Sequence, residues 1–166
     1  MLATVDGYNV SLFIHITAVM VGFGSTFALA VTTPLALKLD PRHLPYVHNL
    51  ELTLNRFFAS PALLFVIATG LIQASDDKYP WDFGQFWLSA TFAIVIIIGG
   101  IMGMVFMPGS KKGLALSQRD IAASGTGEVQ LSEEYTKATR LGAIFGPITG
   151  LLLVAAVFLM VTKPGL

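Results

Sequence analysis

His15 is the one ionisable side chain that lies well inside a long apolar stretch of this sequence, in SLFIHITAVMVGFG. A polar group in hydrocarbon is costly, usually faces the interior of a helix bundle, and is a functional candidate by default. A neutral imidazole there can ligate haem iron or another metal, relay a proton, or simply hydrogen-bond to a neighbouring helix. Arg56 stands at the mouth of a second apolar stretch, with Glu51 and Asn55 before it and Ser60 one turn further on. Its guanidinium suits a carboxylate or phosphate, either a cofactor propionate or the lipid headgroup that a long basic side chain reaches by snorkelling. One use of the two residues together is haem b, with His15 on the iron and Arg56 on an anionic group, beside helix packing for the first and lipid contact for the second.

Other chemistry is thinner. His43 and His48 are five apart, not the three or four of a helical metal pair. Met20, Met102, Met104 and Met107 offer thioether sulfur, which suits cuprous copper and equally serves as core filler. Gln73, Gln85 and Ser89 fall near one interface of the apolar stretches. The sequence has no cysteine, so disulfides, thiolate metal sites and thiol catalysis are excluded. No carboxylate dyad, phosphate loop or nucleophile triad is present.

These residues sit on four apolar stretches, about 9–37, 57–74, 83–107 and 138–162. Each is close to the ~20 residues that cross ~30 Å of hydrocarbon. With 54% hydrophobic and 12% charged residues and a mean hydropathy of +0.73, a soluble domain of this size would be coated in apolar surface. We therefore expect an all-α integral membrane four-helix bundle, one membrane domain over residues 1–166, in contact with the lipid bilayer. The formal net charge is zero, which gives no electrostatic reason to expect nucleic acid. The start MLATVDGYNV carries Asp6 and no Lys or Arg, unlike a signal peptide, so the first span is expected to remain.

Charge sets an expected orientation. Lys38, Arg42, Arg56, Lys111, Lys112, Arg119, Lys137 and Arg140 fall at one end of the spans, and Lys78 and Lys163 at the other, eight against two. The positive-inside rule then puts the first and third connections in the cytoplasm and both termini outside the inner membrane. Asp40-Pro41 should end the first helix, Pro45 should open the next, and Ser132 should cap the last. Pro108-Gly109 should close the third span, leaving KKGLALSQRDIAASGTGEVQLSEE as the flexible segment. Pro61 and Pro147 should kink their helices. Tyr79, Trp81, Phe83, Phe86 and Trp87 are expected to form an aromatic belt.

Small residues indicate the packing faces. Ser11, His15, Ala18, Gly22 and Ser25 line up on one side of the first span, Gly99 and Gly103 recur in the third, and Gly142, Gly146 and Gly150 in the fourth. Close helix contacts, within the bundle or to a second copy or membrane-complex partner, are the expected use of such spacing.

LFIHITAVMVGFGSTF and NRFFASPALLFVIATGLI resemble the bacterial four-helix proteins described as predicted integral membrane proteins of unknown function. These are similar in turn to HemJ-type protoporphyrinogen oxidases and CopD-type copper-resistance membrane proteins. The resemblance covers roughly positions 8 to 74 and implies a haem-ligand role for His15, with Arg56, Pro61 and Gly70 matching the second-span pattern. The lysine near the start of the third span in HemJ-type proteins has no counterpart in FGQFWLSATFAIV, where Gln85 and Ser89 stand nearest. A non-enzymatic membrane subunit or scaffold, or copper or proton handling, are the alternatives to a haem-binding, redox-associated protein.

Overall fold

The computed structural model describes residues 6–36, 38–76 and 81–165. Leu37 at the end of the first expected span, and Lys78 and Tyr79 of the second connection, lie outside the described residues. The described chain is helical throughout its ordered elements. Helix α1 (Gly7–Ala36) is followed by a short 3-10 turn (Pro41–His43), then α2 (Leu44–Leu54), α3 (Ser60–Ala74), α4 (Phe86–Ile101), α5 (Met107–Ser124) and α6 (Glu133–Thr162).

A π-helical turn, Asn55–Ala59, joins α2 to α3, and a second, Met102–Phe106, joins α4 to α5. Each closes on a five-residue hydrogen bond, Ser60 N–H to Asn55 O and Met107 N–H to Met102 O. In both cases a proline follows two residues later, Pro61 and Pro108. A proline lacks the N–H and crowds the carbonyl four residues back, and the widened turn carries the chain past that point without ending the helix. The expected stop at Pro108 is therefore not observed. Met107–Ser124 is helical, and Gly125 ends it at φ 55°.

Four rods result, α1, Pro41–Ala74, Phe86–Ser124 and α6, each long and apolar enough to cross a membrane. At 1.5 Å per residue the second and third rods run about 50 and 58 Å, well beyond ~30 Å of hydrocarbon. Their surplus, α2 and the polar part of α5, stands at the Lys/Arg-rich end and packs together there. α1 packs chiefly on α3, and α4 on α6, while α5 bridges α2 and α6. Phe13, Leu64, Ile96, Leu151 and Val161 are among the large apolar side chains turned outward, the surface that lipid requires.

Two apolar clusters sit at different depths. Ala59, Ile98 and Met102 pack with Leu63 and Leu153 in the middle of the bundle. Ala36, Leu44, Val47 and Tyr135 pack with Leu116 and Leu131 at the Lys/Arg-rich end. The α5 face turned inward there is small and polar, Ser110, Gly113, Ser117 and Asp120, which lets the helices approach closely.

The ends are capped as the sequence implies. Asp40 accepts from Arg42 N–H at 2.9 Å with Pro41 in the first turn, Pro45 opens α2, and Ser132 accepts from Tyr135 N–H at 3.2 Å. Arg42 donates to Gly125 O and Gly127 O, and Arg119 bonds Asp120, Glu134 and Ser132, tying the connections together. The backbone N–H of Ser132, 2.8 Å from the Asp120 carboxylate, holds that carboxyl below its ordinary value.

Candidate functional site

The small stripe of α1 turns inward, with Ser11, His15, Ala18 and Ser25 buried. Gly22 meets Ala62 of α3, where an added Cβ would lie 3.4 Å from the Ala62 methyl. His15 is 7% exposed, and its Nδ1 is 2.9 Å from Thr69 Oγ1 on α3. The Thr69 hydroxyl is itself directed to Phe65 O at 2.5 Å, so its oxygen accepts from Nδ1–H and Nε2 carries the imidazole lone pair. Ser11 donates to Thr69 O at 3.5 Å and accepts from Gln73 Nε2 at 3.4 Å, extending the polar seam between the two helices.

His15 opens on a cavity of about 470 Å³ whose walls are largely apolar. Gln73, Thr91, Trp87 and Lys163 are among its polar lining residues, and Met20, Met102 and Met160 bring thioethers to it. Trp87, expected in a headgroup belt, is instead 3% exposed, and its Nε1–H finds no hydrogen-bond acceptor among the described residues. Its ring stands edge-on to Trp81, centroids 5.2 Å apart, and the Lys163 ammonium lies 3.8 Å over Trp81. Phe83 and Phe86 are exposed, as a belt requires. Gln85 accepts from Asp82 N–H, and Ser89 donates to Phe83 O, so neither turns to the cavity for a partner.

Arg56 is not brought to His15. It is exposed on the π turn with Phe57 beneath its guanidinium at 5.5 Å, and it lines neither of the two cavities described here. The cation on the wall of the His15 cavity is Lys163, held at the α6 terminus by a left-handed backbone, φ 43°. Met104 is exposed, and among the described residues no three His, Cys, Asp or Glu side chains converge as a metal site would need.

A second polar centre was hidden in the sequence. Glu51, on α2, accepts from His48 Nδ1 at 2.9 Å and Ser110 Oγ at 2.7 Å on one oxygen, and from Thr33 Oγ1 at 2.8 Å on the other. His48 Nε2 meets Tyr135 OH at 2.9 Å. Because Nδ1–H is spent on Glu51, the tyrosine hydroxyl donates to Nε2. The network thus joins α1, α2, α5 and α6. Gly113 makes room for it, since a Cβ there would lie 2.8 Å from the His48 ring. His48 and Glu51, three apart on a helix opened by Pro45, share a face that the sequence displays; Ser110 and Tyr135 come from distant segments that nothing in the sequence pairs with them.

This network borders a cavity of about 460 Å³, which shares Thr26 and Met102 with the first. Gly142 and Gly146 line it, and an added Cβ at either would meet nothing within 4 Å. The α6 glycines therefore face open space where close helix contact was expected. A Cβ added at Gly150 would only graze Phe27 at 4.0 Å, and one at Gly103 would meet nothing within 4 Å. Gly99 does serve a close approach, since an added Cβ there would lie 3.1 Å from the Leu63 side chain.

Residues 9–164 match the family model described as predicted integral membrane protein (DUF2269). The chain belongs to that family. Searches of curated proteins and of solved structures found no match.

The contrast between the two kinds of glycine is measurable. Gly113→Ala should push the His48 ring off Tyr135 and cost about 1–3 kcal/mol, the usual scale of overpacking. Gly142→Ala should be neutral or gain up to about 1 kcal/mol from helix propensity. Thermal unfolding in detergent checks both; a Gly113→Ala protein as stable as wild type would contradict the packing of His48.

Proposed function

We propose that this membrane protein is a haem-binding, redox-associated protein that holds haem b in the cavity around His15, with both termini outside the cytoplasm of the inner membrane. The observation that carries this is a buried imidazole, hydrogen-bonded through Nδ1 to Thr69 on the facing helix, in the wall of a large and mainly apolar cavity. A ligating histidine is normally oriented in this way by a hydrogen bond from its other nitrogen. The donor set suits the group: an imidazole for iron, thioethers at Met20, Met102 and Met160 as further ligands, apolar walls for the macrocycle, and Lys163 as counter-charge for a propionate. Haem bound there would supply one-electron transfer. Thr69 and Ser11 hold the ring and the seam, Trp87 offers an unspent N–H, and the apolar lining keeps water out. Arg56, exposed on the outside of the bundle, is assigned to headgroup contact rather than to the cofactor.

Two experiments test this reading. Protein purified after expression with added haem precursor should show a Soret band, and His15→Ala should lose it while remaining in the membrane; a colourless wild type, or a band untouched by the substitution, would refute haem ligation. For the orientation, the eight-to-two charge bias predicts that a reporter joined after Leu166 is active outside the cytoplasm. A cytoplasmic reporter would reverse every side assignment.

A further inference from the structure

We propose that the second cavity, beside Glu51, is a binding site for a neutral, lipid-soluble ring compound bearing a carbonyl, the chemistry of a quinone headgroup. Asn55 carries the argument. It lines this cavity at the π turn, is 5% exposed, and its carboxamide makes no hydrogen bond with any described residue. Its amide is not among the fully buried unpaired groups, so it opens on the cavity, where a ligand carbonyl can accept from its N–H.

The neighbouring groups set the ligand's charge. Both Glu51 oxygens and both His48 nitrogens already have hydrogen-bond partners, and no Lys or Arg lines the cavity, so an anionic ligand would find no counter-charge and an uncharged one is favoured. The Tyr135 hydroxyl donates to His48 but keeps lone pairs, so the same wall can also accept from a hydroxyl-bearing form of the ligand. Shape points the same way. Leu29, Phe106, Ala143 and Pro147 make the walls apolar, and the missing side chains at Gly142 and Gly146 leave a flat face suited to a planar ring. A volume of about 460 Å³ is of the size that small-molecule sites have.

The site adjoins the His15 cavity at Thr26 and Met102, and the test tells the two apart. Detergent-purified wild-type protein is titrated by calorimetry with menadione, a naphthoquinone, and with methylnaphthalene, the same ring without carbonyls. The absence of cysteine removes thiol addition as a source of signal. Menadione should bind saturably and methylnaphthalene about tenfold more weakly, and Asn55→Leu should weaken menadione by a similar factor. Gly146→Leu and Gly142→Leu should each block binding without lowering the melting temperature, because an added Cβ at either position meets nothing and the side chain is directed into the cavity. His15→Ala should bind as wild type does. Absence of saturable menadione binding, equal affinity for methylnaphthalene, or binding that survives both glycine substitutions would overturn the proposal. Loss of binding in His15→Ala alone would also overturn it, by placing the ligand in the other cavity.

Discussion

Three hydrogen bonds converge on the Glu51 carboxyl, and a fourth, from Tyr135 to His48, extends the linkage, so that one side chain on α2 reaches α1, α5 and α6. Near hydrocarbon there is little water to satisfy a carboxyl, and an imperfect set of partners would cost more than the group returns. The arrangement is therefore selective for one relative placement of the rods. α5 must bring Ser110 and the bare backbone of Gly113 to the same level as His48, and α6 must enter at an angle that delivers Tyr135. The cap at Ser132 and the Asp120 contact to its N–H fix that angle three residues upstream of Tyr135.

The rest of the bundle can be seen as accommodation to this meeting point. The second and third rods extend past the bilayer to supply α2 and α5, and each passes a proline through a π turn instead of breaking there. The first π turn turns Asn55 inward and Arg56 outward, so adjacent residues face a cavity and the outside of the bundle. With the Lys/Arg-rich end held by polar bonds, the glycine face of α6 need not close on a neighbour, and the His15 and Glu51 cavities lie between the helices, meeting at Thr26 and Met102.

Much of this architecture was legible because lipid imposes a composition. The four spans, the turn at Asp40-Pro41, the start at Pro45 and the Ser132 cap follow from apolar length, proline geometry and capping chemistry. His15 stood out because it is the one ionisable side chain well inside its apolar stretch. The α5 extension was illegible because its buried face is Ser110, Gly113, Ser117 and Asp120, which carries no apolar periodicity and reads as a polar connection. The Glu51 centre was missed for the same reason: His48 and Glu51 fall in a segment whose hydropathy marks it as lying outside the spans. The α6 glycines show a different limit, since small residues at four-residue spacing permit a close helix contact and equally permit a void.

The most direct test of the Glu51 centre is a double-mutant cycle on unfolding free energy with Ser110→Ala and Tyr135→Phe, two side chains on different helices, each bonded to the His48–Glu51 pair. If the network acts as a unit, the two losses should couple by at least about 0.5 kcal/mol, the scale seen when residues share a hydrogen-bond network. Losses that add to within about 0.3 kcal/mol would mean that the bonds are independent, and that no single centre organises the four helices.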